Sequence, residues 1–147
     1  MAAKLHGDYE LIDGAPSVDD YRRLRAAAGL SPKSRRAAER GLPNSWAVAL
    51  VRNTNGAAVG MGRVIGDGGC FFQVVDIAVL PEHQRRGIGG AILERLLERL
   101  HSDAPTDAYV SLLADPPGRE LYRRYGFRDT APGEVGMALL LEPDAGR

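Results

Sequence analysis

The sequence predicts an α+β domain with a mostly antiparallel sheet and one βαβ passage inserted into it. Three observations carry that expectation. From Trp46 onward, apolar runs of strand length follow one another across the turn sequences NTNG and GDGG. From Gly87 the apolar period becomes helical, with Ile88, Ile92, Leu96 and Leu100 on one stripe, flanked by Leu93 and Leu97. After that helix the chain returns to a strand-like run, AYVSLLA (108–114). The length, 147 residues, suits one domain with a proper core.

Each element has its own signal. A short first strand is expected at residues 9–12. Ser17 with Asp20 three residues on is a capping-box-like start, and Val18, Tyr21, Leu24 and Ala28 then recur at helical spacing. Gly29 can end that helix in the left-handed conformation. Ser31 followed by Pro32 reads as an N-cap with proline at the first helical position, opening a second helix that stops at Gly41. Its Lys33, Arg35, Arg36 and Arg40 form a solvated face. WAVALVR and AAVGMGRVIG pair as a hairpin around NTNG. CFFQVVDIAVL is apolar on both faces, as expected of a central strand buried on both sides, and Pro81 ends it. DPPGRELYRRYG reads as a turn and a short helix ending at Gly126, and a last strand is expected near residues 137–141.

Composition narrows the function classes. Hydrophobic residues make up 44% and charged residues 26%, the mix of a soluble globular protein. Lys+Arg and Asp+Glu both number 19, so the electrostatic excess that binding to a nucleic-acid backbone requires is missing. The single cysteine, Cys70, excludes an internal disulfide framework and a cysteine-based zinc site. Beside Phe71 and Phe72 it reads as a buried small hydrophobe. The N-terminus has no apolar core of signal-peptide length and no run approaches 18 apolar residues, so a cytoplasmic protein without membrane contact is expected.

The stretch PEHQRRGIGG (81–90) starts a helix on poor helix formers, each interior glycine costing about 0.8–1.0 kcal/mol relative to alanine. It is not a Walker A loop, since no Gly-Lys-Ser/Thr occurs. It is not a dinucleotide fingerprint either, because after Gly87 and Gly89 the sixth position is Ile92. What remains is strand, tight turn and helix N-terminus. The first amides of a helix are unsatisfied donors at the positive end of its dipole, and bare glycines let a ligand approach them. That arrangement suits a pyrophosphate; the plainer alternative is a glycine-rich turn before an amphipathic helix.

Gln84-x-x-Gly87-x-Gly89, after a strand ending in Ile77-Ala78-Val79, resembles the acyl-CoA-binding motif of the GNAT family of N-acetyltransferases. A second segment, LYRRYGF (121–127), is similar to that family's LYxxxGF helix and puts Tyr122 at the place of its catalytic tyrosine. The order of elements fits from about residue 8 to residue 142. SPKS, GLPNS, VGMGRVIGDGG and VDIAV also resemble a bacterial subgroup of undefined substrate. The resemblance implies one acyl-CoA N-acyltransferase domain over residues 1–147, with a mixed sheet of six to seven strands flanked by about four helices.

It also implies acetyl-CoA as co-substrate, no metal, and a primary amine as acceptor, a small molecule before a protein lysine. Backbone groups of Ile77, Ala78 and Val79 would pair with the pantetheine arm, in a slot opened where the strand around residues 109–113 splays away. An amide near Ala78 or Val79 would face the thioester oxygen, a contact whose removal costs roughly 10²–10³ in rate elsewhere. The pyrophosphate would lie on the amides of Arg85, Arg86, Gly87, Ile88, Gly89 and Gly90, with Gln84 shaping the turn. The Arg85 and Arg86 side chains either reach phosphates or are solvated.

Tyr122 is the candidate acid for the leaving thiolate, a phenol being protonated at neutral pH; packing is its other reading. The glutamate that serves as base in some members is matched by Gln73, which cannot take a proton. Asp76 either orients the amine and relays its proton, or is a hydrogen-bonded structural aspartate. Glu82 and His83 lie too near the phosphates. Asp115 stands where many members have asparagine, and an ionised carboxylate can only accept, so a helix cap is its expected role. Gly118 stands where they have alanine. Tyr125 is read as core or adenosine-side contact, and Trp46 and Arg63 as pointing into the cleft or into core and surface. Acceptor walls are expected near residues 29–34 and 130–136, and a homodimer is an expectation from family habit alone. A catalytically idle acyl-CoA sensor is the alternative function, and Tyr122 beside an intact phosphate turn favours the enzyme.

Overall fold

The computed structural model describes residues 5–141, in two compact units that meet in sequence between Leu112 and Leu113. The first unit carries a five-stranded sheet in the order β1 (Tyr9–Asp13), β2 (Ala47–Asn53), β3 (Ala58–Gly66), β4 (Phe71–Val79), β5 (Tyr109–Ser111). The first three pairings are antiparallel and β4–β5 is parallel, joined through the helix α3 (Ile88–Asp103). This is the mostly antiparallel sheet with one βαβ passage that the alternating and helical periods predict.

Local chemistry sets the elements. Ser17 Oγ accepts from the Asp20 amide at 3.1 Å and starts α1 (Val18–Ala27), which buries Tyr21 and Leu24. The second helix, α2 (Arg35–Gly41), begins later than expected. Ser34, not Ser31, caps it, through the Ala37 amide at 3.1 Å. Ser31 is otherwise engaged: its carbonyl accepts from Arg25 Nε and Nη2 at 2.9 and 2.6 Å. At the NTNG turn, Asn53 Oδ1 accepts the Asn55 and Ala57 amides. At the GDGG turn, the Asp67 carboxylate accepts the amides of Gly69, Cys70 and Phe71, which hold it below its ordinary pKa.

The core lies between the sheet and α3, whose Ile88, Ala91, Ile92, Leu93, Leu96 and Leu100 are buried. Close approach of α3 to β3 explains the repeated glycine in VGMG. A Cβ on Gly62 would stand 2.5 Å from Ile77 Cδ1 and 2.6 Å from Ile92 Cγ2, and one on Gly60 2.8 Å from Ile88 Cγ2. Gly62→Ala is therefore expected to destabilise the protein by about 1–3 kcal/mol through overpacking, read from the urea midpoint. On the opposite face of β3, Met61 and Arg63 are buried, and α1 packs against β3 and β4.

Four expectations are corrected. The described sheet has five strands rather than six or seven. No strand forms near residues 137–141, where Met137, Leu139, Leu140 and Leu141 stay exposed. Alternation supplies propensity only, and a strand requires a paired neighbour. β4 is not buried on both faces: Phe72, Val74 and Ala78 are buried, while Phe71 is 65% exposed. Cys70 is exposed as well, because the Asp67 turn holds its backbone before the strand begins.

Candidate active site

β4 is interrupted by a bulge. Arg63 pairs with Val75 and Met61 with Ala78, so Asp76 and Ile77 together stand opposite Gly62. Asp76 has φ +59°, a left-handed conformation rare for a residue with a side chain. On its other edge β4 pairs with β5 only over Phe71–Gln73, with partners Tyr109–Ser111. From residue 74 to 79 that edge faces no strand among the described residues, a stretch of about 20 Å at the usual rise per residue. Ile77, Ala78 and Val79 lie on this stretch, whose edge has no strand partner among the described residues.

The unpaired edge leads into the glycine turn. A 3₁₀ turn over Pro81–His83 follows β4, and Gln84 Nε2 donates to the Val79 carbonyl at 3.2 Å, which closes the turn. Arg85 has φ +61°, and Gly87 occupies the N-cap of α3 at φ +80°. That conformation favours glycine. No side chain caps α3, and its first main-chain bond runs from the Ala91 amide to the Gly87 carbonyl. The amides of Ile88, Gly89 and Gly90 therefore lack intrahelical acceptors, at the positive end of a 16-residue helix. Arg86 Nη1 donates to Tyr9 Oη at 2.9 Å, and that hydroxyl lies 2.7 Å from His83 Nδ1. The Arg86 side chain is thus tied to β1, while Arg85 is exposed.

Asp76 is the hub of a buried ionic network. Arg25 Nη1 donates to its Oδ1, and Arg63 Nε and Tyr21 Oη donate to its Oδ2 at 2.7 and 2.9 Å. The three ionic side chains are 5% (Asp76), 9% (Arg25) and 11% (Arg63) exposed. Burial, then the Asp76 charge, pushes the Tyr21 phenol above its ordinary pKa. Of the two readings of Asp76, this arrangement matches the hydrogen-bonded structural one, and it places Arg63 in the core. Arg25 was not singled out from the sequence. Its signal was its place four residues after Tyr21, a cation on the stripe that α1 turns inward. Trp46 packs edge-on against Phe72 at 4.8 Å with the Arg99 guanidinium over its ring.

The second unit holds α4 (Arg119–Arg124), which carries Tyr122. The chain turns back at Gly126 so that Phe127 meets the Tyr122 ring edge-on at 6.2 Å, and the Phe127 amide donates to the Tyr122 carbonyl. Burial, then the Asp115 carboxylate, raises the Tyr122 phenol above its ordinary pKa, so it stays protonated at neutral pH. Asp115 stands at the N-cap of the 3₁₀ turn Pro116–Gly118, but its side chain makes no capping bond. The side-chain cap expected of it is therefore not made; its backbone carbonyl accepts the Gly118 amide, which is the hydrogen bond of the 3₁₀ turn itself. Gly118 lies under the tyrosine: a Cβ there would meet Tyr122 Cε2 at 2.8 Å and Oη at 3.2 Å. Tyr125 is half-buried.

Comparison with known proteins agrees with this layout. The family profile described as acetyltransferase (GNAT) domain matches residues 45–129. A probable acetyltransferase of unknown function from meticillin-resistant Staphylococcus aureus superposes with a TM-score of 0.87 at 41% identity, over 90% of this chain and 99% of that one. Mycothiol acetyltransferase of Geodermatophilus obscurus is 34% identical over 86% of this chain and 42% of its own length. GCN5-related N-acetyltransferase 3 (chloroplastic) of Arabidopsis thaliana is 35% identical over 57% of this chain and 35% of its own. The chain thus spans less than half the length of these two curated relatives. Among the described residues, no helix is long and apolar enough to cross a membrane. A profile match over more than half of the chain, on top of the bulged strand, the glycine turn and the tyrosine helix, places this protein in the GNAT acetyltransferase family.

Proposed function

We propose that this protein transfers the acetyl group of acetyl-CoA to a primary amine of a small molecule, by direct attack in a ternary complex. The observation that carries the reading is the open edge of β4 running into the uncapped N-terminus of α3. On the free edge, the main-chain groups of this stretch that do not pair with β3 can serve an amide-bearing arm as an added strand would, beside the Val79 carbonyl that Gln84 Nε2 already meets. The amides from Arg85 to Gly90 offer a cradle to a pyrophosphate.

In this reading the neutral amine attacks the thioester carbon, and a backbone amide near Ala78 or Val79 stabilises the developing oxyanion. The C–S bond breaks as Tyr122 Oη gives its proton to the departing sulfur. The proton shed by the new amide nitrogen replaces it. Tyr122 is the catalytic residue. Its raised pKa keeps the phenol loaded with its proton at neutral pH.

A thiol-release assay with acetyl-CoA over a panel of amines, aminoglycosides, amino acids and lysine peptides tests the reading. Amine-dependent release is expected. Tight coenzyme A binding with no release from any amine would instead mark an acyl-CoA sensor. Within the same assay, Gly118→Ala is expected to lower kcat about tenfold, equivalent to about 1.4 kcal/mol, because the added methyl displaces the Tyr122 ring. Wild-type turnover by this variant would show that the ring accommodates the methyl without moving its hydroxyl.

A further inference from the structure

Asp76 sits in the β4 bulge at a positive φ. Aspartate enters the left-handed region more readily than most residues with a side chain, and here its surroundings also hold it there. Here the surroundings are three donors on two other elements. Tyr21 and Arg25 come from α1 and Arg63 from β3, and all converge on one carboxylate. Both guanidiniums are anchored elsewhere. Arg63 Nη1 donates to Ser45 Oγ at 2.8 Å, and Arg25 also holds the carbonyl and hydroxyl of Ser31. The carboxylate therefore sits at a point held by α1, β3 and the loop after α1, and its backbone reaches that point in a left-handed turn. Ile77, Ala78 and Val79 follow directly.

We propose that Asp76 is a positioning residue, whose clamp by Arg25, Arg63 and Tyr21 sets the β4 bulge and so aims the backbone at Ile77–Val79 toward the acyl-CoA arm and the thioester oxygen. The inference rests on the acetyl-transfer reading above. It assigns Asp76 no proton to carry. Because Arg25 grips Ser31 and Asp76 together, it also ties the loop after α1 to the strand that does the chemistry.

The test compares wild type, Asp76→Asn and Tyr21→Phe as full-length chains. Coenzyme A binding is measured by calorimetry, turnover by thiol release, and folding by circular dichroism. Asparagine tolerates the left-handed conformation but places donors toward a guanidinium, whereas Tyr21→Phe removes one donor and leaves both ion pairs. A displaced catalytic backbone predicts that Asp76→Asn raises the coenzyme A Kd about tenfold and lowers kcat about 10²-fold. The amine KM is expected to stay near the wild-type value, and the pH–rate profile to keep its limbs. Tyr21→Phe moves Kd and kcat the same way by smaller factors, and it alone decides should Asp76→Asn not fold.

Folded variants with wild-type Kd and kcat overturn the inference. So does loss of the acidic limb in Asp76→Asn, which would make the carboxylate a general base. A wild type that binds coenzyme A but turns over no amine removes the catalytic reading and leaves the Kd comparison to decide the bulge. A wild type that does not bind coenzyme A overturns both.

Discussion

Tyr122→Phe is expected to lower kcat by roughly 10²–10⁴ while leaving coenzyme A affinity unchanged, since general-acid catalysis is worth that much and phenylalanine keeps the ring. The ring's neighbours, Gly118 and Phe127, are indifferent to the hydroxyl's chemistry, so the fold gives no reason for a binding effect. Steady-state thiol release alongside calorimetry separates the two quantities, and an unchanged kcat would sink the acid role. The pH dependence adds a sign. Burial and the Asp115 carboxylate both favour the protonated phenol, so kcat holds past the ordinary phenol value of about 10 and falls only above it. Asp115→Asn removes the charge that opposes ionisation. Its alkaline limb is expected at lower pH than the wild type's, and a limb that does not move would detach Asp115 from the tyrosine.

Asp76→Ala is expected to cost about 3–5 kcal/mol of folding stability, read as a lower urea midpoint at an unchanged slope. The substitution leaves two guanidiniums, each about nine-tenths buried, without the carboxylate between them. Alanine also lacks the short polar side chain that makes the left-handed conformation at φ +59° tolerable. Tyr21→Phe is the control. It removes one hydrogen bond to a charged group and no charge, so a loss of about 1.5 kcal/mol is expected. A loss of that small size for Asp76→Ala as well would mean that water screens the network.

Legibility followed the range of the forces. α3 was readable because its 3.6-residue stripe records a single buried face, and the structure buries Ile88, Ile92, Leu96 and Leu100 together. The cap at Ser17, the left-handed Gly29 and the NTNG turn are likewise written in neighbouring residues. Failures came where distant parts compete for the same group. Ser31 has the local chemistry of an N-cap, yet Arg25 claims its oxygens and Ser34 starts the helix. Residues 137–141 have strand propensity but no ladder among the described residues. Cys70 is apolar company for two phenylalanines in sequence, and a turn in space.

The candidate site divides in the same way. The glycine turn and the helix that carries Tyr122 formed where the sequence placed them, the turn because Gly87 takes a positive φ; the close packing of Gly118 beneath the Tyr122 ring, at a position where the resemblance expects alanine, was not legible. Only the tertiary structure shows which groups Asp76 meets. Whether a carboxylate in an apolar strand is free to meet a substrate or is consumed by the protein depends on Tyr21, Arg25 and Arg63, which stand 55, 51 and 13 residues away in the chain. Sequence determines which side chains can carry charge and which turns can form. Burial determines which charges must find each other, because an unpaired ion in the interior is too costly to leave standing.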